Sequence, residues 1–197
     1  MDSRRLKRLI VLAVFGLCGC QFHPQAAASP ESMAVATPAK KDIDIRIRNN
    51  SLVLLNELLN EEKRVSMILI IKRESPELNR LITDIAETAA EGAKRLQSMA
   101  KNDPGLALAK PDLPPGEQAT RKAIAKTKQH LLLQSKDAEF EFQLLLTQAE
   151  ALNYGAHLAA VAAENEPQSD RVRELSDLSS RLKLLYEQVI TRLRMNK

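Results

Sequence analysis

The stretch from Glu117 to Glu164 contains no proline, and apolar residues recur along it at a spacing of seven: Ile124, Leu131, Ala138, Leu145, Leu152 and Ala159, with Phe142, Ala149, Ala156 and Ala163 between them. A strand of that length does not fit a compact domain, whereas a helix brings every seventh residue back to nearly the same face. The spacing predicts one long helix, or two joined near Ser135. Such a stripe has to be buried against other helices.

The remainder of the chain supplies them. From about Asn49, residues Leu52, Leu55, Leu59 and Leu69 follow one helical face as far as Arg73, where Ser75-Pro76 interrupts the run. Before it, Ile43, Ile45 and Ile47 alternate with charged residues and have no second strand to pair with, so they read as an extended lead-in. Ser75 is a good N-cap and Pro76 suits the first helical position, after which Leu78, Leu81, Ile85, Ala89, Gly92, Leu96 and Met99 repeat at helical spacing. Asn102 to Gly116 holds Asp103-Pro104-Gly105, Pro111 and Pro114-Pro115-Gly116, too broken for a helix, and forms the long connection. A final helix restarts after Pro167 with a core face of Leu175, Leu178, Leu182, Leu185, Val189 and Leu193. Aromatic residues are only 3% of the chain and tryptophan is absent, a composition of helices rather than sheets. The fold expected is all-α, a four-helix bundle with an extended or kinked third helix, occupying one domain over 45–197.

The amino terminus, MDSRRLKRLIVLAVFGLCGC, has a basic start, an apolar run from Leu9 to Leu17 and small residues before a cysteine, the layout of an export signal. The apolar run is about half the ~20 residues that a spanning helix needs. Leu17-Cys18-Gly19-Cys20 resembles the lipobox of bacterial lipoproteins, which implies a signal peptide over 1–19 and lipid on Cys20. Gly19 favours Cys20 over Cys18, because cleavage before Cys18 would put the bulky Leu17 at the junction. Gln21 is not the Asp associated with inner-membrane retention, so the resemblance implies the outer membrane, facing the periplasm, in a host with two membranes. Residues 20–44, rich in Ala, Pro and Ser, read as a flexible tether with a reach of ~25 Å.

Four basic residues and Asp2 in the signal account for most of the formal charge of +4, so the mature chain is nearly neutral and nucleic acid is not expected as a partner. With one cysteine left after cleavage, no internal disulfide is expected.

A di-iron bundle needs Glu-x-x-His on two helices, and His130 and His157 have Thr127 and Tyr154 where the Glu would stand. Glu62, Glu150 and His157 remain as weak metal-ligand candidates, with Glu150 two turns before His157, against the reading that they are edge-of-core and surface residues. No P-loop, dinucleotide fingerprint or nucleophile elbow occurs, and no cofactor is expected. Met67-Ile68-Leu69-Ile70-Ile71 is apolar all round; either Met67, Ile68, Ile70 and Ile71 contact an envelope partner or a second copy, or this turn is covered by the third helix. The terminal Lys197 resembles that of the murein lipoproteins, which implies peptidoglycan attachment.

From Ser51 onward the chain resembles a family of uncharacterised exported proteins with a ferritin-like four-helix bundle, through Leu113-Pro114-Pro115 after the second helix and Phe140 in the third. Where those relatives carry Asp-His pairs, this chain has Thr88-Ala89 and Glu150-Ala151, so their metal role is not carried over. The expected function is that of a lipid-anchored envelope protein, a non-catalytic helical binding or structural module. A ferritin-like metal-binding protein with a degenerate site and a peptidoglycan-linked spacer are the alternatives.

Overall fold

A computed structural model of the chain describes residues 40–70, 75–106, 108 and 112–195. Cys20 and the signal, the tether up to residue 39, Ile71 and Lys197 lie outside the described residues. Among the described residues the chain is all-helical, with no strand. Its elements are α1 (Lys40–Glu62), a 3-10 helix (Val65–Ile70), α2 (Pro76–Asn102), α3 (Pro115–Gln134), α4 (Asp137–Glu164) and α5 (Ser169–Met195).

Helix α1 begins at Lys40, inside the stretch expected to be tether and extended lead-in. Ile43 and Ile47 lie on its exposed side. With no neighbouring strand to take up ladder hydrogen bonds, the helix satisfies its backbone internally and overrides the alternating pattern. Further on, Leu52, Val53, Leu54, Leu55, Leu58 and Leu59 are all buried, because α1 packs against both α2 and α4.

The helix stops at Glu62 rather than running to Arg73. Arg64 N–H donates to the Glu61 carbonyl at 3.0 Å, and a 3-10 turn follows over Val65–Ile70. In a 3-10 helix residues three apart eclipse, which drives Val65 and Ile68 together into the core. Ile68 is therefore a core residue, which favours the covered alternative at this position, although the cover comes from α2 and not from the third helix; Met67 is half-buried.

Helix α2 starts as its sequence specifies, with Ser75 Oγ accepting from Leu78 N–H at 3.2 Å and Pro76 in the first turn. The long third segment is two helices. Ser135 ends α3, its N–H and hydroxyl both returning to the Leu131 carbonyl at 2.9 and 2.7 Å, and Lys136 precedes α4. The turn resets the helical phase, so the sevenfold repeat does not cross it: Leu131, Ala138 and Phe142 are exposed, while Leu132 and Phe140 are buried in their stead.

The most extensive packing is α4 on α5, followed by α1 on α4 and α1 on α2, with α2 also against α5. These four helices share one large core of mostly Leu, Ile and Ala. Gly92 and Gly155 mark its closest approaches, for a β-carbon at Gly92 would stand 3.0 Å from Leu59 Cδ1 and one at Gly155 2.8 Å from Leu58 Cδ2. Helix α3 touches only α4 to any extent. Leu132 is its buried anchor, helped by polar contacts: Arg121 donates to Tyr154 Oη at 3.0 Å, and Lys128 pairs with Glu150.

Candidate functional site

The expected metal candidates do not converge. Glu62 is buried at the end of α1, Glu150 faces α3 and is engaged by Lys128, and His157 is exposed on α4. Among the described residues no group of three or more His, Cys, Asp and Glu side chains gathers in a metal-binding arrangement.

Two polar centres are nonetheless built into the core. In the first, Glu62 is 3% exposed and Gln148 on α4 is 0% exposed. The Gln148 amide lies beside the Glu62 carboxyl, but none of these four polar atoms makes a well-aligned hydrogen bond among the described residues. Burial pushes the Glu62 carboxyl up to about 8, with the Gln148 amide alongside working the other way and the charge of Glu61 adding to the rise. Burial and the Glu57 charge likewise push Glu61 up to about 7, against Arg64, and Glu57 is raised by burial, against Arg121 and Lys122. All three carboxyls sit toward the carbonyl end of α1, whose partial negative charge disfavours carboxylates, and no basic residue occupies its last turn. At neutral pH Glu62 is an uncharged acid.

The second centre joins α1, the α2–α3 connection, the α4–α5 turn and α5. Arg48, Glu166 and Arg171 are each more than nine-tenths buried. The Glu166 carboxylate stands between the two guanidiniums, with Oε2 3.5 Å from Arg48 Nη1 and Oε1 3.4 Å from Arg171 Nε. Its Oε1 also accepts the Gln168 N–H at 3.0 Å, fixing the turn into α5. Arg171 Nη1 lies 2.8 Å from Asp103 Oδ2, so each buried cation has a carboxylate. At Arg171 this is pairing by charge and distance, without well-aligned N–H···O hydrogen bonds from Nε or Nη1. The Gly105 N–H, donating to Asp103 Oδ1 at 2.8 Å, and the Arg171 guanidinium hold the Asp103 carboxyl below the usual range.

Above the Arg171–Asp103 pair opens a cleft of about 740 Å³ between the last turns of α2 and the start of α5. Arg95, Ser98, Met99 and Asn102 form the α2 wall, and Gln168 and Glu174 the opposite one. The groups are of both charge signs, with amides and a hydroxyl between them. Ser98 is the one hydroxyl among the lining residues, and of the two lining carboxylates Asp103 is engaged by Arg171.

Arg48, Gln148, Glu166 and Arg171 were not singled out from sequence. The signal was there: Arg171 stands four residues before Leu175 and Arg48 four before Leu52, while Gln148 stands four before Leu152, so each lies on an apolar face. A polar residue in an apolar period marks a buried polar group.

Compared with known proteins, the chain matches no family model, no curated protein and no solved structure.

Proposed function

We propose that this chain is a lipid-anchored protein of the bacterial cell envelope, a non-catalytic helical module that binds its ligand in the cleft between α2 and α5. The observation that carries the reading is the cleft itself. Two of its lining residues, Arg171 and Asp103, belong to an ion-pair network that joins four segments of the fold, which supports a preformed cleft.

The anchor is supported by Leu17-Cys18-Gly19-Cys20 and its short apolar run, and no helix among the described residues is long and apolar enough to cross a membrane. Several acyl chains on one cysteine hold firmly, each buried CH₂ adding about 0.8 kcal/mol. The ring of contacts α1–α2–α5–α4 supports a four-helix, ferritin-like bundle with α3 attached outside it. Facing the periplasm from the outer membrane is the placement that Gln21 favours in a host with two membranes.

Metabolic labelling with a palmitate analogue should mark the chain and fail with Cys20→Ser; labelling that survives the substitution overturns the anchor. A photoreactive residue at Ser98 should give a discrete adduct in the intact envelope, identified by mass. The same probe at Asp84, on the exposed side of α2, should not. No adduct from Ser98, or the same pattern from both positions, overturns the binding reading.

A further inference from the structure

The charges around the cleft restrict what it can hold. Its floor is internally neutral, because Arg171 and Asp103 pair at 2.8 Å, so nothing there selects a lone anion or a lone cation. Arg95 and Glu174 differ from that pair. Both are exposed and neither forms an ion pair within 4 Å among the described residues, although the Arg95 charge acts on Glu91 one turn away. The carboxylate nearest in sequence to Arg95, Glu91 one turn away, is taken by Arg181 at 2.7 Å.

Helices α2 and α5 run antiparallel, since Asp103 meets Arg171 at one end and Glu91 meets Arg181 farther along. Arg95 falls between the two α2 positions and Glu174 between the two α5 positions. A guanidinium and a carboxylate therefore line facing walls, Glu174 nearer the Arg171–Asp103 end and Arg95 about one turn farther along, with no ion pair between them. Ser98, Asn102 and Gln168 add hydrogen-bonding groups between them, and the volume is that of a small-molecule site.

We propose that the cleft binds a small zwitterion, a molecule carrying a primary ammonium and an anionic group on a short backbone, with Arg95 holding the anionic group and Glu174 the ammonium. The proposal rests on the reading of the chain as a binding module and names its ligand class. The ligand closes the ion pair that the protein leaves open. Either charge alone would meet only one solvent-exposed partner, a weak contact, whereas both ends together add on one molecule. A dipeptide and a phosphoethanolamine headgroup share this chemistry.

The test is calorimetric titration of the full chain in detergent with dialanine, glycerophosphoethanolamine, N-acetyl-dialanine and dialanine amide. At least one of the two zwitterions should bind, and which one does tells a peptide source from a lipid one. The singly charged derivatives should bind at least about tenfold more weakly than dialanine if the source is a peptide, and not detectably if it is a lipid headgroup. Arg95→Gln should weaken the zwitterion and erase any discrimination against dialanine amide; Glu174→Gln should do the same toward N-acetyl-dialanine. Both residues are exposed, so the variants should keep the parent melting temperature.

Failure of both zwitterions to bind up to about 10 mM overturns the proposal, as does equal binding of the singly charged forms. An adduct from Ser98 in the envelope alongside either failure would leave the module standing and remove only its ligand class.

Discussion

The two buried polar centres face the same physical problem and answer it in opposite ways. Glu166 and Arg171 each have an oppositely charged group within 3.5 Å inside the protein. Glu62, as deeply buried, has no cation beside it among the described residues, and burial keeps it protonated. Pairing makes a centre whose desolvation is offset by opposite charges and which is expensive to break from one side. Neutralising makes one whose cost depends on pH. The cleft opens beside the paired centre, with Arg171 and Asp103 in its lining.

The sharpest way to break the comparison is to remove the shared carboxylate. Glu166→Gln leaves Arg48 and Arg171 buried without the charge between them and should cost about 3–5 kcal/mol in urea unfolding. A loss below about 1 kcal/mol would mean that the network is solvated.

The pH response comes next. The folded Glu62 titrates near 8 and the unfolded one near 4.5, so between those values the folded state keeps a proton that the unfolded state has released. Its contribution is fully present below pH 4.5 and is lost as the pH rises through about 8. Stability should fall by about 3 kcal/mol from pH 5 to pH 8, with Glu61 acting in the same direction. Glu62→Gln, uncharged throughout, should remove most of that slope in urea titrations at both pH values. An unchanged slope would place the titration elsewhere.

A smaller effect is expected from the amide opposite. Gln148→Met removes a buried amide that makes no well-aligned hydrogen bond, although it lies beside the Glu62 carboxyl, and should raise stability by about 1–2 kcal/mol at pH 6, read by thermal unfolding. A loss of that size would show instead that the amide is bonded to the protonated acid.

The elements were legible where one period governs: the Ser75-Pro76 start of α2 and the leucine face of α5 stand as the spacing has them. Legibility failed where the period changes. Ile68 reads as surplus to an α-helical face because nothing local announces a three-residue turn, and the sevenfold repeat runs past Ser135 in sequence although the chain folds there. Of the polar centres only Glu62 was named, and for a metal. What separates a ligand from a neutral buried acid is which side chains surround it, and Gln148 comes from a helix far along the chain.

Helix α3 supplies the weakest test of the contrast, because its ion pair is the same chemistry with water admitted. Lys128 and Glu150 keep 22% and 39% of their side-chain surface exposed, against 9% and 0% for Arg171 and Glu166. Solvent screens that pair and the lysine pays rotamer entropy to hold it, so Lys128→Ala should cost less than about 1 kcal/mol, a loss that shrinks further in high salt. Thermal unfolding at low and high ionic strength checks both parts. A salt-insensitive loss of several kcal/mol would mean that α3 belongs to the core, and that burial is not what separates the strong pairs of this fold from the weak one.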